Sequence, residues 1–445
     1  MRKRTVLFAV VVAMVGLLPA SIGSAAIPPD DLVEICETLY GGVFDVPNAE
    51  PLGPCQWDME IIGASDDGSY GVATGAGVTV GVIDSGIDFD HPDIAPNVDV
   101  GLSCSFIFSD TPTADPAEIG NGDCTNKAAV EDLNGHGTHV ASTIGAPING
   151  VGIAGVAPDA TLISLKACTI AGFCFADSVA AALRYAGDNE IDVVNLSLFA
   201  DPFLYYCKSD AEQKAILKDL EQAARYARQQ GVVIVASAGN QQTDLRHPGV
   251  DPISPDWPPD SAEIREVKNN CRVAPAELTG VLTVSATGPV GYPGYDMNIA
   301  DYSSVGGVEV TAPGGDYFAA TDTVQDAILG AVPIGSDIWN GFDGLNMAFP
   351  GITTTDGGGG YVYLNGTSMS SPHAAGVAAL VRETHPNWSP SAVIAAVKRT
   401  AQPLSCPADW EPLGSDDERD RCYGNGSHNS FFGHGLVDAA GAAAE

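Results

Sequence analysis

Five short runs of apolar, β-branched residues constrain this chain most: Val78–Ile83, Thr161–Leu165, Val193–Leu198, Val232–Ala236 and Val281–Val284. Each is almost continuously apolar and ends in polar or glycine-rich sequence. A strand with one wet face would alternate, so the runs suit strands buried on both faces of a parallel sheet. Helical patterns lie between them. Asp177 can cap a helix through SVAAALRYAG, and residues 211–230 repeat apolar positions at helical spacing until Gly231 stops them. Strand and helix alternate, which predicts an α/β fold around a parallel sheet.

Open sheets of this kind collect reacting groups beyond the carboxyl ends of their strands. Asp84 ends GVTVGVID and is followed by SGID; a carboxylate there is partly desolvated and needs a donor such as an imidazole N–H. Asp88 and Asp90 sit in a more polar turn. His136 and His139 occur in NGHGTHVAS, where Gly135 and Gly137 leave room at the His136 ring. No HExxH or third ligand accompanies them, which argues against zinc. Asn240 follows VVIVASAG; its amide can donate to a developing oxyanion, and Gly239 leaves space for that atom. Ser368, in GTSMSSPHAAG, stands where a helix from about Met369 would begin, near free amides and the positive end of the dipole. Taken singly, each residue also fits a cap or a turn, and Ser370 or Ser371 fits the cap as well as Ser368.

Together, VGVIDSGID, NGHGTHVAS, ASAGN and NGTSMSSPHAAGVAALV resemble the Asp, His, oxyanion-Asn and Ser motifs of the subtilisin-like serine proteases, in that family's order. The resemblance runs from about Cys55 (QWDMEIIGA) to GHGLVDAAG. It implies a three-layer fold with a central, mostly parallel sheet and helices on both faces. It also implies an endopeptidase acting on peptides or proteins through Asp84, His136 and Ser368, with Asn240 and the Ser368 amide holding the oxyanion. Ser197, Leu198 and Phe199 match the strand that takes a peptide as its neighbour, and Gly239 is expected to be a further substrate-binding residue. Phe199 replaces the family's usual glycine, which predicts restricted access for large aromatic side chains before the cut. Asp93 and Asn149, with the carbonyls of Pro147, Val151 and Ile153, match a calcium site, although Gln56 falls out of register with the family's N-terminal glutamine ligand.

Arg2, Lys3 and Arg4, the apolar run 6–18 and the small residues to Ala26 have the layout of a secretory signal, too short for a membrane span. Secretion follows, with a signal at 1–26, a short extension at 27–54 and a peptidase domain at 55–445. The 28 positions from 27 to 54 are too few for the folded propeptide that subtilases often carry. Net charge is −36, or −39 without the three leading cations, which argues against nucleic acid and anionic membranes as partners. It fits a solvated acidic surface that keeps a secreted protein soluble, with adaptation to salty surroundings as the sharper alternative, and a monomer is expected. Ten cysteines without a CxxC pair read as disulfides in an exported chain. Neighbour pairing would join 36 to 55, 104 to 124, 168 to 174, 207 to 271 and 406 to 422. Residues 101–130, 241–272, 316–360 and 405–430 lack a period and read as surface insertions, with Gly357–Gly360 a flexible turn.

Overall fold

The computed structural model describes residues 26–258, 260–291, 296–407 and 421–445, so the signal segment lies outside the described residues apart from Ala26. Helix α1 (Pro29–Tyr40) precedes the main sheet. In chain order the framework is β1 (Thr79–Asp84), β2 (Cys104–Ser105), α2 (His136–Gly145), β3 (Thr161–Lys166), α3 (Ala176–Asp188) and β4 (Val193–Leu196). It continues through α4 (Ala211–Gln229), β5 (Val233–Ser237), β6 (Leu282–Val290), β7 (Asp296–Ile299) and β8 (Val310–Pro313). Then come β9 (Ile328–Val332), β10 (Thr353–Asp356), β11 (Gly359–Leu364), α5 (Thr367–Thr384) and α6 (Pro390–Thr400). The 8-stranded sheet runs β7-β6-β5-β4-β1-β3-β2, with β8 also paired to β6. Its pairings are parallel except β6 with β7.

All five predicted strands are present, and both faces of the sheet are covered. Val80, Val82, Val193 and Val233 join Val140, Ile144 and Val377 on the α2 and α5 side. Ile83, Ile163, Leu165 and Val194 join Leu183, Leu217 and Leu220 on the α3 and α4 side. Each such aliphatic side chain contributes on the order of 1.5–3 kcal/mol by leaving water, which explains runs apolar at successive positions.

Three local readings are corrected. Asp177 lies in the first turn of α3, not at its cap, which is Phe175. The cap of α4 is Asp210, whose carboxylate accepts the amides of Glu212 and Gln213. Residues 316–360 are not merely an insertion: β9, β10 and β11 form an antiparallel sheet whose Ile328, Tyr361 and Tyr363 enter the largest core cluster. Only Gly357 and Gly358 turn the β10–β11 hairpin, with φ of 57° and 95°. Gly359 and Gly360 are strand residues without room for a side chain, since added Cβ atoms would lie 2.4 Å from His91 and 2.7 Å from Trp339.

The five disulfides join the neighbouring cysteines as anticipated. Among the described residues no helix is long and apolar enough to cross a membrane.

Candidate active site

Asp84 is the last residue of β1 and is buried, so its charge must be met by fixed donors. Its Oδ1 accepts the Ser85 amide at 2.7 Å and lies 2.8 Å from His136 Nδ1. His136 opens α2 and keeps 26% of its side chain exposed, so one nitrogen faces the carboxylate while the ring still reaches solvent. Burial disfavours the imidazolium, yet the charge and hydrogen bond of Asp84, helped by Asp132, outweigh it and raise the ring's pKa.

The sequence reading overlooked Asp132. Its Oδ1 accepts the Asn134 and Gly135 amides and the Ser85 hydroxyl, and its Oδ2 accepts the Thr138 amide and hydroxyl. One carboxylate thus ties the start of α2 to the turn after β1. An acid four residues before a catalytic-looking histidine in DLNGH was the available signal. Gly137 has a different reason from the one inferred: an added Cβ would lie 2.1 Å from the Gly86 carbonyl, so the residue lets α2 rest on the turn carrying Asp84. His139 is fully buried, with Nε2 near the carbonyls of Ile328 and Val362, and burial pushes its pKa down to about 3. It is a neutral packing residue.

Helix α5 begins at Thr367, so Ser368 is its second residue. Of the three serines there, Ser370 and Ser371 are buried and bonded to Thr367 O and Ser197 Oγ, while Ser368 is partly exposed. Its hydroxyl donates to the Ser197 carbonyl at 3.2 Å. A rotation about its Cα–Cβ bond redirects that hydroxyl, and both Ser368 and His136 line one cleft of about 300 Å³.

Asn240 Oδ1 accepts the Thr367 amide at 2.9 Å and the Thr367 hydroxyl at 2.8 Å. An oxygen held by two donors leaves the NH₂ end pointing elsewhere. A Cβ built on Gly366 would lie 3.5 Å from Asn240 Nδ2 and 3.6 Å from Ser368 N, so both donors border the same space. Thr367, also overlooked, accepts the Gly239 amide and so fixes the turn before Asn240. Gly239 needs its freedom here, with φ of 102°.

Ser197, Leu198, Phe199 and Gly239 all line the cleft. Ser197 Oγ donates to the Ser368 carbonyl at 2.7 Å, joining the edge segment to α5. Phe199 is partly buried against a cluster containing Leu204, Ala238 and Leu245, so its ring belongs to one wall.

The inferred calcium residues converge on the loop 147–153. Asp93 is fully buried; its Oδ2 accepts the Ile153 amide and the Tyr361 hydroxyl, while its Oδ1 has no partner. Among the described residues no hydrogen-bond donor reaches the carbonyls of Pro147, Val151 or Ile153. Asn149 Oδ1 accepts the Val151 amide. Gln56 lies next to this loop, exchanging hydrogen bonds with Ala154, and its Oε1 also accepts the Asn48 side-chain amide. No group of three or more His, Cys, Asp or Glu side chains is placed for a metal among the described residues. An unpartnered carboxylate oxygen and three free carbonyls nevertheless fit a hard cation.

The fold and this arrangement define a class, the α/β serine hydrolases with Asp, His and Ser in that order. A family model described as the Subtilase family matches residues 75–435, and the chain belongs to that family. It is 31% identical over 332 residues to M-protease of Shouchella clausii (strain KSM-K16), covering 74% of this chain but 60% of that protein. Subtilisin Savinase of Lederbergia lenta is also 31% identical, with 74% of this chain and 86% of that protein covered. The structure of fervidolysin from Fervidobacterium pennivorans, described as a keratinolytic enzyme related to subtilisin, superposes with a TM-score of 0.58 at 26% identity, covering 89% of this chain and 46% of that one.

Proposed function

We propose that this protein is a secreted serine endopeptidase. The observation that carries the reading is the convergence in one cleft of the Asp84–His136 pair, Ser368 and two free donors, Asn240 Nδ2 and Ser368 N. A peptide lies as an added strand along Ser197–Phe199. Ser368 Oγ attacks the scissile carbonyl carbon as His136 Nε2 takes its proton, and Asp84 holds the ring's other nitrogen and stabilises the imidazolium. The two donors stabilise the oxyanion. The carbon–nitrogen bond then breaks, the amine leaves with the proton from His136, and an ester to Ser368 remains. Water attacks that ester, losing a proton to His136, and the acid is released as Ser368 recovers its hydrogen.

Asp93 Oδ1, Asn149 and the carbonyls of Pro147, Val151 and Ile153 would hold a calcium ion. When bound it supplies positive charge to a buried carboxylate and fixes the loop; no chemical step uses it.

Segment 27–54 is proposed to remain after loss of a signal at 1–26. Leu32, Cys36, Tyr40 and Leu52 belong to the main core cluster, and the Ile27 amide donates to the Thr353 carbonyl. The remainder, 55–445, forms the peptidase domain.

A fluorophosphonate probe tests the activity. Wild type is expected to be labelled at Ser368 and Ser368→Ala not at all; a folded wild type that takes no label overturns the proposal.

A further inference from the structure

Among the described residues only one lysine is buried, and it stands beside the proposed catalytic acid. Lys166 is the last residue of β3 and lies opposite Asp84 in the sheet register. An ammonium taken wholly out of water is stable only where acceptors engage it. Its Nζ donates to the Ser85 carbonyl at 2.6 Å and to the Glu131 carbonyl at 2.9 Å, and it forms an ion pair with Glu118 Oε1 at 2.9 Å. Among the described residues no other donor reaches either carbonyl.

The two carbonyls belong to the two segments that meet at the Asp84–His136 contact. Ser85 directly follows Asp84, and its amide is the 2.7 Å donor that fixes Asp84 Oδ1. Glu131 directly precedes Asp132, whose carboxylate holds the Asn134 and Gly135 amides ahead of His136. Asp132 accepts the Ser85 hydroxyl while Lys166 takes the Ser85 carbonyl, so the residue that orients Asp84 is held at both ends. The chain beyond Lys166 stays on the same turn, since the Ala167 and Cys168 amides donate to the Asp84 carbonyl at 2.9 and 3.1 Å. Glu118 arrives from the insertion 101–130, at the end of a short 3₁₀ turn. It is 1% exposed; its Oε2 accepts the Asp115 amide and its carbonyl the Ser105 hydroxyl, and Cys104–Cys124 closes the loop that carries it. The insertion therefore delivers one fixed carboxylate to the rear of the proposed active site.

We propose that Lys166 is a positioning residue for the Asp84–His136 pair, anchored by Glu118 of the insertion. The proposal rests on the endopeptidase reading. Stability alone does not call for such a pair, because neutral groups of similar volume fill a buried place as well as two charges do. Neutral side chains without spare hydrogens cannot, however, give a donor to both carbonyls. Lys166 touches no reacting atom: it acts through Ser85 and Asp132, and its loss frees the turn whose amide aims the Asp84 carboxylate at the ring. A displacement of about 1 Å in groups of this kind lowers a rate by as much as about a hundredfold.

The test compares wild type with Lys166→Met/Glu118→Gln, a neutral pair that leaves no buried charge alone. Circular dichroism reports folding, and kcat and KM are measured separately on a peptide substrate. In the double variant kcat is expected to fall about ten- to a hundredfold, with KM changed by less than about threefold. The far-downfield proton resonance of the Asp84–His136 hydrogen bond, recorded in a Ser368→Ala background that prevents autolysis, is expected to shift or disappear. A folded double variant with wild-type kcat and an unaltered resonance shows a role in stability alone and overturns the proposal. If that variant does not fold, Lys166→Gln decides by the same two readouts: its two amide hydrogens keep Glu118 partnered but cannot also serve both carbonyls. Wild-type kcat and resonance in folded Lys166→Gln then overturn the proposal. No cleavage and no fluorophosphonate labelling by folded wild type overturns the endopeptidase reading, and this inference with it.

Discussion

At the scale of single residues, the protonation of His136 controls the proposed reaction. A general base must be neutral to accept the Ser368 proton, so a raised pKa makes activity disappear earlier as pH falls. We expect the acidic limb of kcat/KM to have its midpoint above 6.5, the ordinary histidine value. Asp84→Asn removes the charge that raises it and leaves burial, which shifts the limb to lower pH, while turnover drops by about 10⁴-fold through loss of the correct tautomer. A pH–rate profile of both proteins checks this; coincident limbs would refute the electrostatic account. Asp84, His136, Asn240 and Ser368 were legible because each lies in a short motif at the end of an apolar run. Thr367 and Asp132 were not, because their work is done on backbone groups and side chains that only the fold brings within reach.

Secondary elements are held in register by few polar anchors. Asp132 satisfies five donors across the β1 turn and the start of α2, and replacing it leaves several of them unpaired in a buried place. Asp132→Ala is expected to lose about 2–4 kcal/mol of stability, measured by urea unfolding in an inactive Ser368→Ala background that prevents autolysis. A loss below about 0.5 kcal/mol, the usual effect of a surface change, would contradict the clamp. The five sheet strands were legible from their continuous apolarity. The β9–β10–β11 sheet was missed: glycines at 357–360 look like a loop locally, yet Gly359 and Gly360 are strand residues because His91 and Trp339 occupy the space beside them.

For the whole molecule, charge and the proposed calcium site set the expected dependence on conditions. A net charge of −36 repels itself, and molar salt shortens the screening length to about 3 Å, so the melting temperature should rise with NaCl. EDTA should lower it, because a cation saturating a native site at a hundred times its dissociation constant contributes about 2.7 kcal/mol. Calorimetry of the inactive variant separates the two; indifference to EDTA would remove calcium from the account. The sequence by itself determined the α/β class, the family and the residues proposed for the triad, since apolar periodicity and short motifs are local properties of the chain. Tertiary structure alone decided which atoms meet: Gln56 against Ala154, Thr367 turning Asn240 toward the cleft, and Asp132 beside Ser85 across 47 positions. Those contacts join segments far apart along the chain, and their chemistry exists only once burial has removed water from between them.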